Sequence, residues 1–265
     1  MPGSLANQMA IITGASSGIG WALAQVLSRE GCKVGLIARR KDKLAELAEQ
    51  LKSSGGTVAE APADVADRTA VSVAIGTLRR QLGPVDLLIA NAGVGVPTLL
   101  EPMNVGDIER TFAVNVLGAV YSIAAVLPEM LSRGRGHIAG ISSLGAYKGL
   151  PGESAYCASK AALSTYLEGL RIHLRGRGIR VSTLCPGFVS TPMTAMNKFP
   201  MPGLLTAQQA AERIVHALKR GRKVYDFPWQ TAFLTKMSRW LPDWALARAM
   251  HGYNQDPPMP KVPSL

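Results

Sequence analysis

The chain has 265 residues and a net charge of +11, and 47% of its residues are hydrophobic. That apolar share supports a full core. No run of 18 or more apolar residues occurs, so no membrane-spanning helix is expected, and the first eight residues are too short and polar for a signal peptide.

Residues 9–13 form a short apolar run that ends in Thr13-Gly14-Ala15-Ser16-Ser17-Gly18-Ile19-Gly20. Helical apolar spacing then continues to about residue 30. A strand that breaks through glycines into a helix start is an anion site: bare amides and the helix dipole face a pyrophosphate, and glycines admit its close approach. The spacing here is G-x-x-x-G-x-G, which the usual G-x-G-x-x-G fingerprint would miss.

Strand and helix patterns then alternate. Strands are expected at 33–38, 57–62, 85–90, 137–142 and 180–185, and helices at 41–53, 67–82, 107–131, 156–176 and 206–219. Residues 223–227 read as an edge strand. Apolar strands without polar alternation indicate a parallel sheet covered on both faces. Repeated β–α units imply right-handed crossovers, hence one α/β domain over 1–265 with a doubly wound, Rossmann-type sheet in three layers. Ligands of such sheets bind beyond the carboxyl ends of the strands. Gly14–Gly20, Arg39, Asp64, Asn91–Gly93, Ser143 and Pro186-Gly187 all follow such ends.

The second strand ends in Ala38-Arg39-Arg40, where an acid would bind a ribose 2′-hydroxyl. Two guanidiniums suit a 2′-phosphate instead. Tyr156 and Lys160 stand four residues apart on one helix face, with Ser143 thirteen residues upstream of the tyrosine. An ammonium beside a phenol is expected to lower its pKa from about 10, giving a tuned acid/base.

The cysteines, Cys32, Cys157 and Cys185, are scattered and odd in number, which suggests a reducing cytosol and a cytoplasmic protein. Cys157 is read as a small packing residue. The four histidines form no metal pattern, so no metal is expected. The basic stretches at 171–180 and 219–223 lack interleaved aromatics, so nucleic acid is not an expected partner.

Thr13–Gly20, Asn91-Ala92-Gly93, Asn115, Ser143, Tyr156-x-x-x-Lys160 and Pro186-Gly187 occur in the order and spacing of the short-chain dehydrogenase/reductase family, in its group of about 250 residues. The resemblance covers residues 9 to about 195. It implies an NADP(H)-dependent oxidoreductase reducing a ketone or aldehyde, or oxidising the matching secondary alcohol, and a homodimer or homotetramer. By resemblance, Ser143 holds the carbonyl oxygen, Tyr156 exchanges its proton, Lys160 tunes Tyr156 and holds ribose hydroxyls, and Asn115 keeps a water in a relay through Lys160. Cofactor contacts carried over are Gly14, Ser16, Ser17, Gly18, Ile19, Gly20, Arg39, Arg40, Asp64, Val65, Asn91, Ala92, Gly93, Pro186, Gly187, Val189 and Thr191, besides Tyr156 and Lys160. Arg39 is the main 2′-phosphate contact, with help from Ser16, and Asp64 resembles the adenine contact. The alternative is a scaffold or membrane-surface protein that binds NADP(H) without turnover.

Residues 188–205 occupy the family's substrate lid. Met193, Met196, Phe199 and Met201 make it apolar and adaptable, which favours a hydrophobic substrate. In the extension 228–265, Phe233, Met237, Trp240 and Trp244 recur at helical spacing, with Pro242 expected to break or kink the helix. The stripe is expected to dock on the body or line a subunit interface. A basic, tryptophan-bearing helix on an anionic membrane surface is the alternative.

Overall fold

The computed structural model describes residues 4–195 and 200–250. Seven parallel strands form the sheet: β1 (Met9–Thr13), β2 (Lys33–Ala38), β3 (Val58–Pro62), β4 (Leu87–Ala90), β5 (Gly136–Ile141), β6 (Ile179–Pro186) and, after a small two-stranded ribbon β7 (Val189–Ser190) and β8 (Leu205–Thr206), β9 (Val224–Phe227). The order across the sheet is β3-β2-β1-β4-β5-β6-β9. β1 and β4 are buried at every position, as strands covered on both faces must be.

Helices α1 (Gly18–Arg29), α2 (Lys41–Ser53) and α7 (Ala207–Lys219) cover one face. Helices α3 (Arg68–Leu82), α5 (Gly118–Arg133) and α6 (Ser154–His173) cover the other. Local chemistry starts and stops them. Asp67 caps α3 by accepting from the Thr69 amide at 2.8 Å and the Ala70 amide at 3.0 Å, and Thr206 and Gln209 form a capping box on α7. Gly134 closes α5 in the left-handed region.

The helix expected over 107–131 is three pieces. Helix α4 (Val105–Phe112) passes through a π turn at Ala113–Leu117 into α5. Residues 105–133 are long and apolar enough to cross a membrane by composition, although polar residues interrupt their apolar runs. Ile123, Val126 and Met130 are instead buried against the sheet.

The C-terminal stripe is split at Leu241-Pro242 into α8 (Trp229–Met237), a 3₁₀ turn at Ser238–Trp240 and α9 (Asp243–Ala249). Helix α8 rests on the body through Ala232, which is buried beside Leu144 and Cys185, but the stripe itself is not covered. Only Ala232 of α8 is buried, while Trp229, Trp240 and Trp244 are 72%, 85% and 73% exposed. Lys236 of α8 anchors the helix by donating from Nζ to Asp226 Oδ2 at 2.5 Å, and Tyr147 OH donates to the other oxygen, Asp226 Oδ1, at 2.9 Å. Trp229 and Phe233 of the same helix stay exposed.

Candidate active site

The carboxyl ends of β1, β2, β4, β5 and β6 surround one cleft of about 470 Å³. At its floor, Thr13 Oγ1 accepts from the amides of Asn91 and Ala92, both at 3.1 Å. Asn91 Nδ2 returns bonds to the Thr13 and Gly14 carbonyls at 3.0 and 3.3 Å. Asn91 therefore fixes the glycine turn with its side chain. Gly14 has φ +68°, and a Cβ there would lie 2.7 Å from Ala92 Cα. A Cβ on Gly20 would run into the Gly14 carbonyl oxygen. Ser17 precedes α1 without capping it; its hydroxyl accepts from Arg40 Nη2 at 2.8 Å. The first amides of α1 thus have no side-chain cap, and Gly18 and Ile19 line the cleft. This is an anion cradle.

Positive charge gathers beside it. Arg40 also donates to Ser16 Oγ, from Nε at 3.2 Å and Nη2 at 3.0 Å. Arg39 reaches across to Asp64, with Nη1 4.0 Å from Oδ2. Ser16, expected to help Arg39 with a 2′-phosphate, is held by Arg40, whose side chain turns toward the start of α1. Asp64 Oδ1 accepts from the Ala66 amide at 3.0 Å and Oδ2 from Arg110 Nη2 at 2.6 Å. Burial pushes the Asp64 carboxyl up, but the Arg110 and Ala66 bonds outweigh it and leave its pKa below the ordinary value.

At the opposite end stand Ser143, Tyr156 and Lys160. Ser143 follows β5 in extended backbone, and its Oγ accepts from the Gly145 amide at 3.0 Å. Ser142 is buried, with its hydroxyl donating to the Lys160 carbonyl at 3.0 Å and 2.7 Å from Ser164 Oγ. Helix α6 carries Tyr156 and Lys160, whose Nζ lies 5.8 Å from the tyrosine ring centre. Lys160 Nζ donates to the Ile141 carbonyl at 2.9 Å. Burial pulls the lysine down to about 8. Burial also pushes the Tyr156 phenol up to about 12, against a lowering hydrogen bond with Ser143. Part of the Tyr156 surface stays open to the cleft, so solvent screens some of that penalty. The expected lowering of the phenol by Lys160 is therefore not found: desolvation outweighs an ammonium turned toward a backbone carbonyl. Cys157, the next residue, is buried as a packing residue.

Asn115 lies within the π turn, behind the cleft. Its Oδ1 accepts from the Val94 amide at 2.8 Å, and Nδ2 donates to the Val94 carbonyl and to Ser159 Oγ, both at 2.9 Å. Between Asn115 and Lys160 a side chain would be tightly confined. A Cβ on Gly93 would sit 3.2 Å from Lys160 Nζ and 3.3 Å from Asn115 Oδ1. Gly20 also lies behind the surface, and the remaining candidate residues line the cleft. Glycines that a Cβ would block, an uncapped helix start and two arginines fit a dinucleotide phosphate chain.

Residues 8–200 match the family model described as short chain dehydrogenase. The chain belongs to the short-chain dehydrogenase family. Members are oxidoreductases that bind a nicotinamide cofactor. It is 41% identical over 239 residues to an uncharacterised oxidoreductase of Myxococcus xanthus, covering 90% of this chain and 94% of the relative. A short-chain dehydrogenase/reductase from Burkholderia phymatum, solved in complex with NAD, superposes with a TM-score of 0.83 at 26% identity, covering 89% of this chain and 94% of that one. The L-sorbose reductase of Gluconobacter frateurii, solved with NADPH and L-sorbose, has a TM-score of 0.77 at 28% identity, covering 85% and 97%.

In the sequence of this short-chain dehydrogenase Thr13 figures only as the start of a motif, with no role of its own, and Val94, Ser159 and Arg110 go unmarked. Thr13 and Ser159 lie inside the motifs and could have been suspected as their hydrogen-bonding partners. Nothing marks Arg110, because its partner Asp64 is 46 residues away.

Proposed function

We propose that the protein is an NADP(H)-dependent reductase of ketones or aldehydes, running as a dehydrogenase on the matching secondary alcohols. One observation carries this reading: a single cleft has Ser143, Tyr156 and Lys160 at one end and Arg39 and Arg40 at the other. The solved relatives include an NAD and an NADPH complex, so cofactor choice rests on the two arginines and on the missing acid after β2. Arg39 and Arg40 would take the 2′-phosphate, the α1 amides the pyrophosphate, and Lys160 the ribose beside Tyr156. The nicotinamide, when bound, supplies or accepts the hydride.

The chain's residues do the rest. Ser143 Oγ donates to the carbonyl oxygen and orients it. Tyr156, raised to about 12 by burial, stays protonated at neutral pH and delivers its proton as negative charge develops on that oxygen. Lys160, as ammonium, steadies the phenolate left behind. Oxidation runs these transfers backward. Val189 and Thr191 hold the start of the lid, and Thr194 Oγ1 donates to the Val189 carbonyl at 2.6 Å. Met193 lines the cleft, and a Cβ on Gly95 would meet its sulfur at 3.4 Å and Tyr156 Cδ2 at 3.5 Å. That apolar wall favours a hydrophobic carbonyl. Met196 and Phe199 lie outside the described residues. A screen of ketones and aldehydes with NADPH and NADH side by side tests the reading. No NADPH oxidation across the panel would leave the non-catalytic scaffold, and an NADH preference would remove the role of Arg39.

We read residues 1–265 as one functional unit working in the cytoplasm, with 188–205 as lid and 228–265 as an extension. Exposed Trp229 and Phe233 on α8, Trp240 in the 3₁₀ turn and Trp244 on α9 favour a contact outside the protomer. A second copy in a homodimer or homotetramer is one partner, and an anionic membrane surface is the other. Liposome flotation with and without residues 228–265, beside the oligomeric state of each form, separates them.

A further inference from the structure

Arg110 stands on α4, behind the cleft, and is absent from its lining. Its Nη2 is 2.6 Å from Asp64 Oδ2, in a close charge-assisted bond. Arg39 Nη1 approaches the same oxygen only to 4.0 Å, with 61% of its side chain exposed. One carboxylate thus stands between two guanidiniums, and the one behind the cleft holds it more tightly. The other carboxylate oxygen is occupied by the Ala66 amide.

The charge balance gives this asymmetry a consequence. A carboxylate with no cation behind it would draw Arg39 into an ion pair and set a negative charge beside a 2′-phosphate. Both effects oppose binding of the phosphorylated ribose, while a plain ribose would feel little of either. We propose that Arg110 is a specificity-determining positioning residue: it takes up the charge of Asp64 from behind and leaves Arg39 free to bind the 2′-phosphate of NADP(H). The proposal rests on the NADP(H) reading above and adds to it a residue that touches no part of the cofactor.

Dissociation constants of NADPH and NADH for the full chain, the variants Arg110→Met, Arg110→Lys and Asp64→Asn, and the double variant Arg110→Met/Asp64→Asn test it by fluorescence titration, without turnover. Arg110→Met should weaken NADPH by about tenfold and NADH by less than about threefold, the size of coupling expected of contacting charges. Arg110→Lys keeps the cation and should largely preserve the NADPH-to-NADH ratio. Adding Asp64→Asn to Arg110→Met should restore that ratio, because the charge to be taken up is gone. If Arg110→Met weakens both cofactors equally, or if Asp64→Asn does not restore the ratio, Arg110 only ties α4 to the loop after β3 and the proposal falls. The unsubstituted protein reports separately: tighter NADH than NADPH there overturns the cofactor reading, whatever Arg110 and Asp64 do to each other.

Discussion

Lys160 follows Tyr156 by one helical turn, yet its ammonium is spent on the Ile141 carbonyl, 2.9 Å away, and stands 5.8 Å from the tyrosine ring centre. Both groups are held by burial in their neutral-favouring directions, the lysine at about 8 and the phenol at about 12. The ammonium is the first of the two to be lost as pH rises. For reduction, kcat/KM should therefore be flat near neutrality and fall above about pH 8, as Lys160 loses the charge that steadies the phenolate. A pH profile checks this, and a falling limb that stays at the same pH in Lys160→Arg would remove the assignment. The arginine keeps its charge throughout the range.

Tyr156→Phe removes the proton donor and leaves the ring and the cofactor cradle in place. The expected result is a loss in kcat of roughly 10²–10⁴-fold, the usual worth of a positioned acid, with the NADPH dissociation constant little changed. Single-turnover NADPH oxidation and fluorescence titration measure the two quantities separately. An equal loss in both would mean that the hydroxyl serves binding.

Gly20 is closed to any side chain, because its Cβ would strike the Gly14 carbonyl oxygen and come within 2.6 Å of Asn91 Nδ2. Neither atom is free to move: Asn91 Nδ2 is bonded to both the Thr13 and Gly14 carbonyls. Gly20→Ala should therefore push the turn off its anion geometry. Both NADPH and NADH should weaken together by at least about tenfold, since the pyrophosphate is common to them. Gly76 provides the control: a Cβ there meets only Arg80 Nη1, at 3.7 Å, and Gly76→Ala on α3 should leave binding unchanged.

The sheet was legible because its strands are continuous apolar runs and its helices carry turn chemistry at their ends. Expected and observed strand limits differ by no more than two residues at either end. The site was legible only where residues that meet are near in sequence or share a motif. Arg110 and Asp64 meet because the arginine of α4 reaches the loop after β3, and that contact has no sequence signal. The π turn was hidden for a similar reason: it keeps the apolar spacing of a helix while turning Asn115 toward Val94 and Ser159. The phenol's rise follows from burial and from the direction of the Lys160 ammonium. A four-residue spacing fixes the face of a helix but neither of these. In the C-terminal extension Pro242 marked the break between α8 and α9, but the stripe gave no measure of exposure, because the same spacing serves a core helix and an uncovered one.

His137 is expected to make the protein less stable in acid. It is the second residue of β5 and fully buried, its Nε2 2.8 Å from Ser182 Oγ, with no hydrogen-bond partner at Nδ1 among the described residues. Burial first, then the nearby Arg180 charge, lower it to about 3 from an ordinary 6.5. A depressed histidine is neutral in the folded protein at pH values where the unfolded chain already binds its proton. Between about 6.5 and 3 the unfolded state holds the extra proton, so stability falls as pH falls through that window. Above about 6.5 both states are neutral, and His137 contributes no slope. The slope within the window approaches about 1.4 kcal/mol per pH unit for one proton. Urea unfolding at pH 7.0, 6.0 and 5.0 should show the loss, and His137→Gln, which cannot take up the proton, should flatten it. An unchanged slope in that variant would move the acid sensitivity to other groups. The variant should also leave NADPH binding unaltered, because His137 lies at the amino end of its strand and the cleft lies at the carboxyl end.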